Sequence, residues 1–213
     1  MVLRTLYEWP PTRSHRAKWA LEELGVAFSS VMVDLGKGMQ NSDDYRSLHP
    51  LGCVPAFETD DYQIFESIAI VLQLIDEHPE QNLAPPLGGS ERAYYYQWCV
   101  FAASELDPAL MLYFDNSMRP LEAMRPAGTL HDPKLAKRGR GDFFERARCL
   151  VDVLETRDFL LGAEFSGADI VVGHSCFMAQ HMGLLDQFPV LQSYFSRLSQ
   201  REAHKKVYDM LGN

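Results

Sequence analysis

A proline, a carboxylate and a hydroxyl lie close together in CVPAFETDDYQIFES, residues 53–67. Pro55 falls in a predicted strand, where it cannot donate a ladder hydrogen bond and so belongs at an edge, a bulge or a functional bend. Glu66 and Ser67 fall where a helix is predicted to begin. Backbone N–H groups at a helix start favour an anion, and a serine hydroxyl adds a donor. The same side chains can instead cap the helix, so the stretch predicts an anion-binding corner or a capped helix start.

The elements around this corner alternate between strand and helix. A β-prone run, an amphipathic helix that stops at Gly25 and a second β-prone run predict a parallel strand pair with a right-handed crossover. A short irregular helix near Asp43–Ser47 and a hairpin that turns at Asp60 and Asp61 follow. The runs are, in order, LRTLY, SHRAKWALEELG, AFSSVMVDL, VPAFETDDYQIF and ESIAIVLQLIDEH. This order predicts an α/β thioredoxin-like domain over residues 1–78.

Composition changes at PEQNLAPPLGGS, residues 79–90, which predicts a linker rich in proline and glycine. Residues 91–213 lack β signals and predict an all-helical second domain. Its first long helix is expected to bend near Pro108. Residues 119–141 hold most of the local positive charge and are expected to form a solvated connection between helices.

The whole-chain numbers exclude some functions. Lys plus Arg is 20 and Asp plus Glu is 29, and the net charge of −9 argues against a general nucleic-acid binder. No stretch approaches the roughly 18 apolar residues of a membrane span, and the start of the sequence has no signal-peptide core, so a cytoplasmic protein is expected. The four cysteines form no CxxC pair. Free, mostly buried thiols are expected, and neither a metal site nor a local redox dithiol is indicated.

Four motifs in this order resemble those of the cytosolic, bacterial-type glutathione transferases over nearly the whole chain. They are TRSHR after the first strand, GCVPAF at residues 52–57, FES at residues 65–67 and FSGAD at residues 165–169. The resemblance implies the glutathione transferase fold, glutathione as co-substrate, no metal, and transfer of the glutathione thiolate to a hydrophobic electrophile in detoxification. The FSGAD motif is expected to be a structural capping box made by Ser166 and Asp169.

The resemblance also implies how glutathione binds. In the family the bond before the proline is cis, so Val54 and Pro55 are expected to present the Val54 backbone to the cysteinyl part of glutathione, a form of β-augmentation. Glu66 and Ser67 are expected to hold the γ-glutamyl end. Many members carry Lys or Gln where this chain has Cys53, which cannot supply a charge to the glycyl carboxylate. Lys37 and Gln40 are the remaining candidates for that carboxylate. Cys53 itself can form a mixed disulfide with glutathione or be a packed thiol.

Three hydroxyl groups compete to stabilise the thiolate. The free thiol has a pKa near 8.5, so a decrease of about two units, or roughly 2.7 kcal/mol, is needed at neutral pH. One good hydrogen bond and the start of the helix near Arg13 and Ser14 can supply it. Thr12 has the spacing of the catalytic serine in serine-type members and is the first candidate, Ser14 is the second, and Tyr7 has the position used in tyrosine-type members. Ser14 can instead be an N-cap and Tyr7 a packed strand side chain.

The electrophile is expected in a cleft between the two domains, lined by apolar and sulfur-containing side chains. The candidates are Trp9, Met111, Tyr113, Phe114 and Met118, and at least half of those on the helix also fit an ordinary core. A homodimer is expected because the hairpin and the helix from Glu91 carry aromatic residues on faces expected to be exposed. A glutathione-dependent isomerase, dehalogenase or disulfide reductase, or a non-catalytic protein-binding module, are alternatives on the same fold.

Overall fold

The computed structural model describes residues 3–119 and 130–209. The chain divides into two compact units. One contains the chain up to Leu83 together with the segment from Ser199, and the other contains Ala84–Leu198. The second boundary differs from the predicted one, because the sequence pattern assigned the C-terminal segment to the helical domain.

The first unit has the predicted order of elements. They are β1 (Arg4–Glu8), α1 (Ser14–Leu24), β2 (Ser29–Met32), α2 (Asp43–Leu48), β3 (Ala56–Thr59), β4 (Gln63–Phe65) and α3 (Ser67–Glu77). Helix α1 stops at Gly25, whose φ of 65° is left-handed, as the predicted stop signal requires. The thioredoxin-like arrangement predicted from the alternating pattern is therefore confirmed.

The four strands form one mixed sheet in the order β2-β1-β3-β4. Strands β1 and β2 are parallel, whereas β1 with β3 and β3 with β4 are antiparallel. Leu6 and Phe57 are paired across β1 and β3 and are fully buried, as are Leu21 of α1 and Leu74 of α3, two helices that pack together. Successive strand residues point to opposite faces, so Tyr7 lies on the other face, where Tyr45 of α2 belongs to a second small core.

The C-terminal helix α9 (Glu202–Tyr208) packs on α1 within this first unit. The rings of Trp19 and His204 are 4.8 Å apart, edge to face, and Arg201 donates to both oxygens of Glu23 at 2.7 and 2.8 Å. These aromatic and charge-assisted contacts give the segment from Ser199 a place beside α1. These contacts are the physical reason why the segment from Ser199 belongs to the first unit and not to the helical one.

The second unit is helical. Its helices are α4 (Ser90–Phe101), α5 (Asp107–Ser117), α6 (Pro133–Leu154), α7 (Gly167–His181) and α8 (Pro189–Ser199), the last ending at the unit boundary. Between α4 and α5, residues Ala102–Leu106 form a π-helical turn. Pro108 has no N–H and cannot donate the next helical hydrogen bond. The irregularity expected near Pro108 is thus a widened turn just before it.

The expectation of a solvated connection over residues 119–141 is wrong for residues 133–141, because α6 begins at Pro133 and continues to Leu154. The Asp132 side chain accepts from the N–H groups of Lys134 and Leu135, and a proline at the first helical position costs no hydrogen bond. Gly139 of this helix allows close approach of α5. A Cβ at Gly139 would lie 2.5 Å from the Tyr113 nitrogen. Residues 120–129 lie outside the described part of the chain.

The predicted capping box is present at the start of α7. One oxygen of the fully buried Asp169 accepts from the N–H and hydroxyl of Ser166, each at 2.9 Å. Its other oxygen accepts from the Leu160 N–H at 3.0 Å and the Tyr194 hydroxyl at 2.8 Å. Burial raises the pKa of Asp169, while these donors oppose the rise. One carboxylate therefore joins α7, α8 and the preceding loop.

All four cysteines are free, as predicted. Cys99 and Cys176 are buried, whereas Cys53 and Cys149 are exposed, so the expectation that most would be buried is met by only half of them. In the described ranges, 3–119 and 130–209, no helix combines the length and apolarity that crossing a bilayer requires.

Candidate functional site

Three loops of the first unit leave the sheet at the same edge. Tyr7 of β1 is paired with Ala56 of β3, which is paired with Phe65 of β4. Strand β1 ends, β3 begins and β4 ends at this edge. The turn after β1 carries Thr12, the residues before Ala56 are Val54 and Pro55, and those after Phe65 are Glu66 and Ser67. The sheet therefore brings these predicted site residues together.

Val54 leaves its backbone open at this edge. The Val54–Pro55 bond is cis, as the resemblance implied. The preceding residue is fixed by the Tyr45 hydroxyl, which donates to the Cys53 carbonyl at 2.6 Å. Among the described residues, neither the N–H nor the C=O of Val54 has a hydrogen-bond partner. A half-buried backbone donor and acceptor, side by side at a sheet edge, are arranged to pair with an extended peptide.

The corner at Glu66 and Ser67 is not a side-chain cap. Glu66 occupies the N-cap position of α3 with φ 74° and ψ 110°, and no side chain caps the helix. Such a backbone conformation costs a non-glycine residue about 1–3 kcal/mol. Ser67 is only 4% exposed, yet its hydroxyl makes no hydrogen bond within the described part of the chain. The capping interpretation is therefore wrong for this corner, whereas it is right at Ser166.

The turn after β1 holds two hydroxyls in contact. The Thr12 hydroxyl donates to the Trp9 carbonyl at 2.5 Å and lies 2.7 Å from the Ser14 hydroxyl. Thr12 is half-buried, whereas Ser14 is completely buried. The N-cap of α1 is Arg13 and no side chain caps this helix, so Ser14 is not the N-cap that the sequence left open. Of the two, only Thr12 has surface with which to contact a ligand.

Tyr7 has its own partner. Its hydroxyl donates to the Glu58 carboxylate at 2.9 Å, and its ring lies edge to face with Tyr45 at 6.1 Å. Burial is the larger cause that raises the pKa of Tyr7, and the Glu58 carboxylate raises it further. This is the packed strand side chain that the sequence left as an alternative.

The two candidates for the glycyl carboxylate are placed differently. Lys37 is exposed and pairs with Asp34 at 3.2 Å. Gln40 lies against Gly52, since a Cβ on that glycine would be 2.6 Å from the Gln40 carbonyl oxygen. Its side-chain oxygen is buried and has no partner among the described residues. Gly52, with φ 61°, is needed both for this approach and for its left-handed backbone.

Arg46 is a further candidate for this carboxylate that the sequence pattern did not indicate. It donates to the side-chain oxygen of Asn41 at 3.2 Å and to the Pro50 carbonyl at 3.3 Å. Its guanidinium therefore lies beside the loop that leads to Val54. A basic residue in the last turn of a helix that precedes GCVPAF is the signal that could have indicated it.

His49 was also missed. It is 4% exposed, its ring lies 4.7 Å from that of Phe65, and its Nδ1 has no partner among the described residues. Burial lowers the pKa of His49, and the Glu66 carboxylate opposes that decrease. No sequence pattern distinguished this histidine from an ordinary loop residue.

The residues proposed for the electrophile lie in different units. Trp9 is a half-buried residue of the first unit. Met111, Tyr113 and Phe114 are half-buried on α5 of the second unit, and the Phe114 ring lies under the guanidinium of Arg119 at 5.4 Å. Their common site stays a prediction. Among the described residues, no group of three or more metal-ligating side chains is found.

Residues 3–75 match the family model described as glutathione S-transferase, N-terminal domain. The chain is 31% identical to glutathione S-transferase F10 of Arabidopsis thaliana, over 97% of this chain and 96% of that protein. The chain belongs to the glutathione S-transferase family. A solved structure titled as a ternary complex of BphK, a bacterial glutathione S-transferase, is 30% identical, with a TM-score of 0.84 and coverage of 98% and 100%. The structure of glutathione transferase F7 from Populus trichocarpa, at 22% identity and a TM-score of 0.87 over 99% and 100%, shares the glutathione transferase fold.

Proposed function

We propose that the chain is a glutathione-dependent transferase that stabilises the glutathione thiolate for attack on a hydrophobic electrophile. The observation that carries the proposal is the meeting of Thr12, Val54 and Ser67 at one sheet edge, where Val54 and Ser67 have unused hydrogen-bonding groups. Detoxification in the cytoplasm is the role we propose for this activity.

The γ-glutamyl end of glutathione is assigned to Glu66 and Ser67. The first N–H groups of α3 have no helical partners, and the hydroxyl of Ser67, a residue only 4% exposed, has no hydrogen-bond partner in the described chain. A carboxylate placed there gains charge-assisted hydrogen bonds. The Glu66 side chain is exposed and can attract the adjoining ammonium group.

The cysteinyl part is assigned to Val54. Its free N–H and C=O can pair with the peptide backbone of glutathione as an added strand would. Pro55 is buried and fixes the direction of the chain before β3. This pairing is independent of the glutathione side chains, so it sets the position of the thiol and not its pKa.

The glycyl carboxylate is assigned to the loop beside Gly52. Gln40 lies against that glycine. The Arg46 guanidinium supplies the positive charge that Cys53 cannot provide. Lys37 is the weaker candidate because its ammonium group already pairs with Asp34. Arg46 is exposed, so its attraction for the carboxylate is modest and decreases with salt.

The thiolate is assigned to the Thr12 hydroxyl, with the start of α1 as a second source of positive potential. Thr12 is the half-buried hydroxyl of the turn, whereas the Tyr7 hydroxyl is engaged by Glu58. A hydrogen bond to an anion typically contributes about 1.5–3 kcal/mol, which matches the roughly 2.7 kcal/mol needed for two pKa units. The electrophile is assigned to Trp9, Met111, Tyr113 and Phe114.

One observation favours a non-catalytic, glutathione-binding module as the second candidate. The Thr12 hydroxyl donates to the Trp9 carbonyl at 2.5 Å and must leave it to reach sulfur. Retention on immobilised glutathione, followed by titration calorimetry and a chlorodinitrobenzene assay, separates the candidates. Binding with turnover supports the transferase, and binding without turnover on a panel that includes isomerase, dehalogenase and disulfide substrates supports the module. Absence of binding at millimolar glutathione would contradict both.

We also propose that the chain forms a homodimer. Tyr94, Tyr96 and Val100 of α4 are 56%, 40% and 62% exposed, and Leu51 and Phe65 of the first unit are 73% and 38% exposed. Exposed large apolar side chains are candidates for a protein–protein interface, and each unit carries some of them. Sedimentation at about twice the 24.2 kDa chain mass is expected. Sedimentation at the mass of one chain would contradict the proposal.

A further inference from the structure

The hydrogen bond between the Thr12 and Ser14 hydroxyls can run in only one direction. The Trp9 carbonyl can only accept, so the single Thr12 hydroxyl proton is committed to it at 2.5 Å. The oxygen of Thr12 also lies 2.7 Å from the Ser14 hydroxyl and 3.2 Å from the Ser14 N–H. Because Thr12 has no second proton, the Ser14 hydroxyl must be the donor in this contact. The Thr12 oxygen thus accepts two hydrogen bonds, both from Ser14.

These bonds form a closed ring with one direction. The Trp9 N–H donates to the Ser14 hydroxyl at 3.3 Å, the Ser14 hydroxyl donates to Thr12, and Thr12 donates to the Trp9 carbonyl. Hydrogen bonds arranged head to tail polarise one another, and this effect is larger where water is excluded. Ser14 is completely buried, so its place in the ring is shielded from solvent.

The ring has a consequence for a bound thiolate. If sulfur replaces the Trp9 carbonyl as acceptor, the Thr12 proton turns to sulfur while the two donations from Ser14 remain. Two donors on the Thr12 oxygen withdraw electron density from its O–H bond and make it a stronger donor. They also prevent Thr12 from using Ser14 as its own acceptor. Ser14 itself has no exposed surface with which to touch the sulfur.

We propose that Ser14 is a positioning residue that directs the Thr12 hydroxyl and strengthens its hydrogen bond to the glutathione sulfur. This inference rests on the proposed function, in which Thr12 contacts the thiolate. It gives the two adjacent hydroxyls separate roles, of which only that of Thr12 involves contact with substrate.

The test is ultraviolet thiolate absorbance of the protein–glutathione complex against pH for wild type, Ser14→Ala, Thr12→Val and the double variant. Thr12→Val is expected to raise the bound thiol pKa by about one to two units, and Ser14→Ala by about half to one unit, which is a three- to tenfold loss of thiolate below the pKa. In the Thr12→Val background, Ser14→Ala is expected to add less than about 0.3 units, because its effect passes through Thr12. Glutathione affinity at low pH, where the thiol is neutral, should change little.

Each other result has a distinct meaning. An equal Ser14→Ala shift in both backgrounds would overturn the inference, because Ser14 would then act without Thr12. A shift in Thr12→Val but not in Ser14→Ala would also overturn it, while the transferase proposal would stand. No shift in any variant, together with retained glutathione binding, would remove Thr12 from thiol activation, and loss of binding in the wild type would contradict the proposed function itself. If Ser14→Ala does not fold, Ser14→Cys replaces it in the same double-mutant comparison of thiol pKa values, since a thiol is a weak donor of similar size.

Discussion

The Tyr7 hydroxyl donates to the Glu58 carboxylate at 2.9 Å, across two antiparallel strands. A phenol with its only proton on a carboxylate has none to offer a thiolate. We therefore expect Tyr7→Phe to leave the bound thiol pKa within about 0.3 units of the wild type and to reduce turnover less than about threefold. Thiolate absorbance against pH checks this expectation. An increase of a full unit would instead indicate that Tyr7 leaves Glu58 and activates the thiol.

Replacing Thr12 with valine keeps the shape of the side chain and removes its donor. The bound thiol pKa is expected to rise by about one to two units, because each unit corresponds to about 1.36 kcal/mol of lost anion stabilisation. Turnover at neutral pH should fall roughly tenfold to a hundredfold and recover in part at alkaline pH. Thr12→Ser, which keeps the hydroxyl, is the matched control and should stay close to wild type. Unchanged turnover in Thr12→Val would leave the helix terminus and backbone donors as the activators.

Two serines at helix starts, Ser67 and Ser166, test whether the Ser67 hydroxyl binds glutathione or stabilises the fold. Ser67→Ala should weaken glutathione binding by about 1–3 kcal/mol, because a carboxylate loses a donor in a buried site. It should hardly alter stability, since Ser67 caps nothing in the free structure. Ser166→Ala is the matched control, because Ser166 belongs to a capping box, and its loss should cost about 0.5–2 kcal/mol of stability. Titration calorimetry and thermal melts measure both, and an unchanged dissociation constant in Ser67→Ala would show that the hydroxyl does not contact glutathione.

Asp169→Ala is expected to destabilise the chain by about 3–5 kcal/mol. Four donors point at this buried carboxylate, and its removal leaves them without an acceptor. Affinity for glutathione per folded molecule should stay as in the wild type. Denaturant unfolding and calorimetry on the folded fraction separate the two effects. A selective loss of affinity in a stable Asp169→Ala protein would contradict the structural role.

Acid should weaken the contact between α1 and α9. Burial lowers the pKa of His15 and of His204 to about 4, compared with 6.5 in an unfolded chain. Above about pH 6.5 both histidines are neutral in either state and contribute nothing to the pH dependence. Between about pH 6.5 and 4 the unfolded chain binds protons that the folded chain does not, so stability decreases as the pH falls. The loss is complete only below about pH 4 and amounts to roughly 3–4 kcal/mol per histidine.

The charged groups that act on these two rings are Lys18 of α1, Glu23 of α1 and Asp209 at the end of α9. Guanidinium unfolding from pH 4 to 8 is compared for wild type and His204→Gln. The variant should show a shallower decrease below pH 6.5, because it has lost one of the two histidines. Identical pH profiles would show that His204 does not titrate differently on folding.

Much of the fold followed from local patterns, because each pattern describes bonds between near neighbours. The spacing of apolar residues in SHRAKWALEELG predicts α1 because helical hydrogen bonds join residues four apart, and Gly25 ends it by its freedom at positive φ. Ser166 and Asp169 predict their capping box for the same reason. The start of α6 at Pro133 did not follow from the sequence pattern, because a proline can break a helix or begin one, and the Asp132 cap distinguishes the two cases.

The sequence by itself determined which chemical groups this protein has at its sheet edge: the hydroxyls of Thr12, Ser14 and Ser67, the Val54–Pro55 pair and the Glu66 carboxylate. Only the tertiary structure decided what each group does there. Tyr7 is engaged by Glu58, a residue 51 positions away, and Ser14 is buried beneath Thr12, while Ser67 is left without a partner in the described chain. The physical reason is that a hydroxyl has one proton and takes the acceptor that packing brings closest. For Tyr7 the pairing of two distant strands sets that acceptor, whereas Thr12 and Ser14 find theirs within the turn after β1 once that turn has folded.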